Sequence, residues 1–322
     1  MVRSLGNHLW TRGGTGQGPG EFLQLDTMFV SPGDTVYAWD YRLRRGSLFD
    51  PDGGFVRTFQ VRVNRHGIPQ PLAVLEGGNL LVHSTISMIG RLGVDQSAPD
   101  SVAFFLVDWE GNQTAKLGIL PSLDLIRYRV MGRSLIGPTY PVVGAAATAT
   151  GGKVFFGRGT HPLVVVAGSE RGEMEAWRLP WKLNRVRSQD YSAWVDYSVR
   201  NAQEGVDTSL WRATLQGRPF REWSGAFVRL YADPAGYLWV QRYEDPWVSR
   251  ERWSVFDQTG SQLCDLLGPP NGELLQAGSD FVLVLRKDSM GVEYVALHTL
   301  ERSSAAVERI PMPRGHARGT PY

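Results

Sequence analysis

The feature that most constrains this fold is a repeated turn motif. Two apolar residues, Asp, two variable residues and Gly recur in LFDPDG (48–53), LVDWEG (106–111) and VFDQTG (255–260), with a weaker copy in VAGSERG (166–172). An Asp side chain in such a turn bonds main-chain N–H groups further on, and Gly supplies the positive φ that a tight hairpin needs. β-rich runs flank each copy, so the sequence predicts a series of antiparallel hairpins.

Each hairpin is preceded by another strand that a glycine opens. Those strands are GDTVYAWD, GGNLLVHS, GGKVFFG, AGYLWVQRY and GSDFVLVLR, and apolar stretches such as FLQLDTMFVS come before them. The unit is therefore four strands, a to d, repeated along the chain. Units of four short strands at a period of about 40–50 residues are typical of propeller blades. We predict an all-β chain, a β-propeller of four-stranded blades with five blades counted, and a small helical insert at 181–223.

The glycine-rich stretch GGTGQGPGEF (13–22) resembles a phosphate-binding loop only superficially. A P-loop requires Lys-Ser/Thr after its last glycine, and the dinucleotide-binding form must lie between a buried strand and a helix. Here Glu-Phe follows, and then Leu23, Leu25, Thr27 and Phe29 alternate as in a strand. We interpret the stretch as a connection between neighbouring blades.

Several of these motifs resemble a known family. G-x-G-P-G-E-F before a blade, then VYAWD and an apolar pair with D-x-x-G, is similar to NHL-like six-bladed β-propellers, and RLYADPAGYLWVQRY with RWSVFDQTG is similar to bacterial six-bladed propellers of unassigned function. The resemblance covers roughly residues 10–302 and implies six blades and frequent export. This chain departs from the resemblance because we count five blades in it. Either the ring has five blades, or a blade and an export signal lie upstream, which would imply a periplasmic or extracellular location.

The domain prediction is one propeller over 1–302 and a flexible tail over 303–322. The final unit, 278–302, has no convincing d strand, and we expect residues 5–12 to supply it and close the ring. Within the insert, SQDYSAWVDYSVRNAQ predicts a helix capped by Ser188 with Tyr191, Trp194, Val195 and Val199 on one face. DTSLWRATLQ predicts a second helix capped by Asp207.

Bulk charge narrows the class of partner. Lys and Arg total 34 and Asp and Glu total 32, so the formal net charge is only +2. This argues against a nucleic-acid partner, and no apolar run is long enough to span a membrane. A single cysteine, Cys264, excludes an internal disulfide. We expect a monomer without a cofactor.

The long connections, 85–101, 121–140 and 181–223, are all b–c or d–a connections, which emerge on one face of a propeller. We call this the loop-rich face and expect function there. Arginines at the ends of b strands favour an anionic ligand there, unless salt bridges to Asp40, Glu244 or Asp245 or simple solvation account for them. The candidate ligand-binding residues are Tyr41, Arg42, His83, Arg158, His161, Arg242, Tyr243 and Arg286.

The predicted function is non-enzymatic binding of a protein, peptide or anionic glycan on the loop-rich face. The alternative is a propeller enzyme, a lyase or a hydrolase of the lactonase type, acting at the channel mouth. For it, His83 and His161 with a carboxylate offer a metal site, but lone histidines are more often structural, and we predict no metal. RNA binding would need a continuous basic face, which the balanced charge does not favour.

Overall fold

A computed structural model describes residues 8, 10–31, 33–63, 68–85, 101–121, 125–130, 132–168 and 174–302. Most of the predicted b–c loop 85–101, half of the predicted closing strand 5–12 and the predicted tail 303–322 lie outside these residues. The turn of the weaker repeat, at 169–173, lies outside them as well.

Four antiparallel sheets of four strands follow one another along the chain, each in sequence order. Blade one comprises β1 (Leu25–Val30), β2 (Val36–Asp40), β3 (Arg45–Phe49) and β4 (Phe55–Phe59). Blade two comprises β5 (Ile68–Val74), β6 (Leu80–Thr85), β7 (Ser101–Val107) and β8 (Gln113–Pro121). The d–a connection after blade two contains a separate hairpin of β9 (Leu125–Val130) and β10 (Arg133–Pro138).

The remaining blades complete the order. Blade three comprises β11 (Ala145–Thr150), β12 (Lys153–Arg158), β13 (Leu163–Gly168) and β14 (Met174–Arg178). Blade four comprises β15 (Phe227–Ala232), β16 (Leu238–Arg242), β17 (Arg252–Phe256) and β18 (Gln262–Leu267). Blade five has three described strands, β19 (Glu273–Ala277), β20 (Phe281–Lys287) and β21 (Glu293–Thr299). The predicted all-β propeller with five blades is confirmed.

The D-x-x-G turns have the predicted chemistry. The Asp50 carboxylate accepts main-chain N–H groups from Asp52 (3.0 Å) and Gly54 (2.6 Å), and Gly53 has φ +80°. Asp257 and Asp288 repeat this arrangement two and four residues on. Because each turn uses its own carboxylate and a left-handed glycine, the hairpins are specified locally.

The glycine-rich stretch 13–22 forms a compact connection before β1, as predicted. The N–H of Gly18 donates to the Glu21 carboxylate at 2.8 Å, and the N–H of Phe22 donates to the Gly14 carbonyl at 2.9 Å. The Glu21 carboxylate therefore occupies the N–H of Gly18, and the Phe22 carbonyl occupies that of Gly16 (3.1 Å).

The core lies between successive blades. Phe104 of blade two packs on Phe156 of blade three with ring centroids 5.4 Å apart, and Phe155, Phe227 and Phe256 are buried between blades three and four. Strand β7 is buried from Val102 to Val107 because both of its faces meet a neighbouring blade. Each such side chain contributes about 1.5–3 kcal/mol of burial free energy.

Residues 10–12 are the continuous described part of the predicted closing strand. The Trp10 indole N–H donates to Pro51 O (3.0 Å), and Arg12 Nε donates to Gly53 O (2.9 Å). The Trp10 ring faces Gly53 as the Trp177 ring of β14 faces Gly260. Trp10 thus contacts blade one as an outer strand contacts the next blade, and the closing strand itself stays a prediction.

The insert contains two helices, α1 (Ser188–Arg200) and α2 (Thr208–Gln216). Asp207 caps α2 as predicted, accepting N–H groups from Ser209 (3.0 Å) and Leu210 (3.1 Å). The predicted cap of α1 is wrong. Arg187 precedes the helix, and its N–H donates to the Asp190 carboxylate at 2.9 Å, so Ser188 is already helical. Within the described residues, neither helix is long and apolar enough to cross a membrane.

Candidate functional site

Two of the three predicted long connections meet on the loop-rich face. The β9–β10 connection contacts the end of the helical insert through Arg218 Nε, which donates to Tyr128 Oη at 2.9 Å, and through the N–H of Arg221, which donates to Tyr140 O at 2.8 Å. Tyr140 also packs among residues of both helices: Tyr191, Trp194, Val195 and Leu215. These segments, 125–140 and 188–221, form one cap, and we use that name below.

A small cleft of about 90 Å³ separates the cap from blade four. Asp245, just after β16, accepts hydrogen bonds from Tyr140 Oη (2.7 Å) and Tyr243 Oη (3.4 Å). Burial raises the pKa of both tyrosines well above the usual value, with Asp245 adding to the effect. Both hydroxyls therefore stay protonated at neutral pH and act as donors to one carboxylate.

Arg242 lies in the same cleft, but its charge is already engaged. The guanidinium sits 4.7 Å from the Trp181 ring centroid, and its NH1 is 3.7 Å from an Asp265 carboxylate oxygen. The neighbouring Glu244 pairs with Arg252 at 3.0 Å. The Trp181 contact holds the Arg242 side chain against the insert, and Asp265 holds it from blade four.

The loop 243–251 borders the cleft on one side and an open groove of about 630 Å³ on the other. We call it the Trp247 groove. The Tyr197 ring of α1 and the Trp247 ring are 6.3 Å apart and tilted by 59°. Trp247 is 38% exposed and Val248 is 45% exposed, and Arg200 lies at the end of the same helix. The groove thus combines aromatic, aliphatic and charged surface.

Glu251 fixes the base of the loop. Its carboxylate accepts hydrogen bonds from Gln241 Nε2 (3.0 Å), the Trp253 indole (2.9 Å) and the N–H of Leu274 (3.2 Å). These partners belong to β16, β17 and β19, so one side chain links the loop to blades four and five. A loop anchored in this way presents its aromatic residues from a rigid base.

The predicted site residues are distributed over several blades. Only Arg242 and Tyr243 line the cleft. Tyr41 is half-buried and its N–H donates to Gln24 O (3.0 Å), while Arg42 is exposed. Burial lowers the pKa of the Arg158 guanidinium, and Arg286 is aligned with Tyr294 in the β20–β21 ladder.

Asp40, one of three carboxylates that the sequence offered as salt-bridge partners for the b-strand arginines, is engaged by the main chain instead. Its carboxylate is fully buried and accepts main-chain N–H groups from Leu23 (2.6 Å), Gln24 (3.1 Å) and Leu43 (2.7 Å). Burial alone would raise the pKa of Asp40, but these hydrogen bonds outweigh it and lower the pKa below its ordinary value. Asp40 therefore holds the start of β1 against the turn after β2.

The two histidines considered for a metal have separate neighbours. The His83 ring nitrogen Nε2 hydrogen-bonds to Gln70 Oε1 (3.0 Å), and burial lowers the pKa of His83 to about 4, although the nearby Asp26 opposes this. The exposed His161 has its Nδ1 within 2.8 Å of Thr160 Oγ1. In the described part of the chain, no group of three His, Cys, Asp or Glu side chains is arranged to hold a metal ion.

Sequence reasoning did not select Tyr140, Trp181, Tyr197 or Trp247. One signal was available: EDPW, Glu244–Trp247, follows a b strand directly and places a tryptophan in a turn that Asp-Pro favours. The contact of Tyr140 with Asp245 spans 105 residues and had no local signal.

No family model matches the sequence. No curated protein matches it either.

Among solved structures, a protein from Bacteroides fragilis NCTC 9343 described as exported is 14% identical, with a TM-score of 0.46 over 89% of this chain and 73% of that one. A streptogramin B lyase is 10% identical (TM-score 0.35, 86% and 68%). The periplasmic gluconolactonase of Pseudomonas aeruginosa is 15% identical (TM-score 0.34, 85% and 84%). At these identities and TM-scores the comparisons carry no statement about ligand or activity, and the fold rests on the sheets themselves.

Proposed function

We propose that this chain is a non-catalytic binding propeller and that the Trp247 groove takes an extended peptide segment of a protein partner. The observation that carries this is the pair of exposed apolar side chains, Trp247 and Val248, on a loop anchored by Glu251. Tryptophan and tyrosine on a rigid base are the side chains that most often dominate binding energy at protein interfaces.

The mixed lining of the groove favours a peptide over an anionic glycan. Pro246, Val248 and Trp247 offer apolar surface, and both a cation (Arg200) and an anion (Glu251) border it. A polyanion would meet the carboxylate unfavourably, whereas a peptide can match both signs along its length. The tilt between the Tyr197 and Trp247 rings makes two differently oriented contacts rather than one flat platform.

The test is a selection from a displayed random-peptide library, followed by calorimetric titration of the enriched peptides. Trp247→Ala should weaken binding by about tenfold or more, because a central tryptophan contributes at least 2 kcal/mol at such sites. Trp223→Ala is the matched control, since Trp223 is 49% exposed and lies outside the groove. It should change affinity less than about twofold.

Other outcomes would overturn the proposal. If no peptide is enriched, while an array of oligosaccharides gives a ligand that Trp247→Ala abolishes, the groove binds glycans. If enriched peptides bind Trp247→Ala as well as the wild-type chain, the groove is not the site.

A further inference from the structure

A second groove lies on the outer side of the propeller, away from the loop 243–251. It has a volume of about 520 Å³ and runs between the outer strand of blade one and the β7–β8 turn of blade two. Its polar lining consists of Arg45, Arg57, Thr58, Gln60, Arg62 and Glu110. We call it the arginine groove.

Neutral oxygen atoms hold each of the three arginines. An Arg45 NH2 donates to Gly18 O (2.5 Å) and Glu21 O (3.1 Å), both in the glycine-rich connection. Arg57 NH2 donates to Trp109 O at 2.7 Å. Arg62 makes one long contact, from NH1 to Asn112 Oδ1 at 3.5 Å. The side chains are thus positioned by two blades, while each guanidinium keeps N–H groups that these acceptors do not use.

The charge of these arginines is only partly compensated within the groove. Over the described residues, none of the three pairs with a carboxylate, in contrast to Arg229, which meets Glu273 at 2.7 Å. One acidic residue, Glu110, lines the groove. Three guanidinium groups against one carboxylate concentrate at one place as much positive charge as the whole chain carries, a formal net +2. Such a concentration attracts anions more strongly than the bulk charge indicates.

We propose that the arginine groove binds an acidic oligosaccharide, one whose sugar rings carry carboxylate or sulfate groups. Guanidinium groups match planar or tetrahedral oxyanions with paired N–H donors. Thr58 and Gln60 add the neutral hydroxyl and amide that sugar hydroxyls require beside the charged groups. The volume of about 520 Å³ suits a chain of sugar rings better than a single ion.

The lining also favours an acidic oligosaccharide over a single-stranded nucleic acid. Bases bind by stacking on exposed aromatic rings. The aromatic residue of the groove, Phe59, is only 8% exposed and packs into the core between blades one and two. The site offers charge and hydrogen bonds without a stacking surface.

The experiment measures binding of a fluorescently labelled tetragalacturonate and of a heparin-derived tetrasaccharide to the whole chain by anisotropy. Arg62→Gln should weaken affinity at least about fivefold, Arg62→Glu should abolish binding, and affinity should fall with salt. Arg178→Gln, at an exposed arginine outside the groove, is the matched control and should stay within about twofold. Tetragalacturonate carries carboxylates alone and the heparin fragment carries carboxylates and sulfates, so the comparison shows whether added sulfates strengthen binding.

Methyl-esterified tetragalacturonate, inorganic phosphate and single-stranded DNA complete the design. If the neutral ester binds as tightly as tetragalacturonate, the proposal is overturned. It is also overturned if the DNA binds more tightly than the acidic oligosaccharides and the Arg62 variants abolish that binding. Unchanged affinity in both Arg62 variants would overturn it as well. Trp247→Ala should leave acidic-oligosaccharide binding intact, so this proposal and the peptide proposal can fail separately.

Discussion

The guanidinium of Arg302 donates a hydrogen bond of 2.7 Å to the carboxylate of Asp233, which is completely buried. The same carboxylate accepts the Trp239 indole N–H at 2.8 Å, and Arg302 stacks 4.7 Å from the Tyr237 ring centroid. Arg302 follows β21, whereas Asp233 begins the a–b turn of blade four. The pair therefore joins the end of the described chain to the preceding blade.

We expect Arg302→Met to destabilise the protein by about 3 kcal/mol. Removing Arg302 leaves the buried Asp233 carboxylate with neutral donors and without its counter-charge, which is costly in a desolvated place. The substitution also removes hydrogen bonds from the guanidinium to Ser279 O (2.7 Å) and Gly278 O (2.9 Å). Urea denaturation at neutral pH measures the change in the free energy of unfolding.

Lys287→Met is the control for this variant. Lys287 pairs with Glu293 at 3.0 Å, but the two side chains are 61% and 56% exposed. Exposed pairs contribute at most about 1 kcal/mol, so this variant should unfold near the wild-type midpoint. Equal losses in the two variants would show that burial of Asp233 is not what gives the Arg302 contact its strength.

His83 should make stability depend on pH. Burial holds its folded-state pKa at about 4, below the ordinary 6.5, so the unfolded chain binds the proton more readily. Stability is therefore fully present above about pH 6.5 and is lost as the pH falls towards 4, by about 3 kcal/mol in all. Denaturation midpoints at a series of pH values measure this loss.

His83→Gln should reduce that pH dependence, because glutamine does not titrate and can still bond to Gln70. The two proteins should differ in slope between about pH 4 and 6.5 and run parallel above about pH 7. If the slopes are the same throughout, the carboxylates, not His83, account for the acid sensitivity.

Two glycines in equivalent turns allow the cost of a left-handed backbone to be measured separately from the cost of a steric clash. Gly111 (φ +89°) and Gly291 (φ +82°) both end a D-x-x-G turn. An added Cβ at Gly111 would lie 1.8 Å from the Gln60 carbonyl oxygen, whereas at Gly291 it would meet nothing within 4 Å. We expect Gly291→Ala to cost about 1–2 kcal/mol, the left-handed penalty alone.

Gly111→Ala should cost distinctly more, by several kcal/mol, because the main chain of blade one would have to move. Thermal melting of both variants decides this. Similar melting temperatures would mean that blades one and two separate easily at this contact.

The turns and blades were predictable because their determinants are local. Asp257, for example, satisfies N–H groups two and four residues away, so the motif contains its own explanation. The hairpin β9–β10 and its packing against the helical insert had no such signal. Arg218 reaches Tyr128 across 90 residues, and only the ring of blades brings them together.

The candidate site shows the same division. The sequence assigned Arg242 and Tyr243 to the end of a b strand, and both residues line the cleft between the cap and blade four. That Trp181 and Asp265 would engage Arg242 could not be read from spacing, since these contacts cross from one element to another. The strand on which a residue lies was thus accessible from the sequence, whereas its side-chain partners were not.

Asp245→Ala should destabilise the cap more than Tyr140→Phe does. Tyr140 is 2% exposed, and its hydroxyl donates to Asp245 at 2.7 Å. Asp245→Ala takes the anionic acceptor away from the buried Tyr140 hydroxyl, which costs about 1–3 kcal/mol. Tyr140→Phe leaves Asp245 its bond from Tyr243 and costs about 1 kcal/mol.

Thermal melting measures both changes, and Tyr294→Phe serves as the control because that ring is 45% exposed and its hydroxyl can bond to water. It should melt with the wild-type protein. The double variant Tyr140→Phe/Asp245→Ala should lose less stability than the two single variants lose together. With the Tyr140 hydroxyl and the Asp245 carboxylate both removed, neither group is left without the other. Strict additivity would contradict a direct hydrogen bond between the cap and blade four.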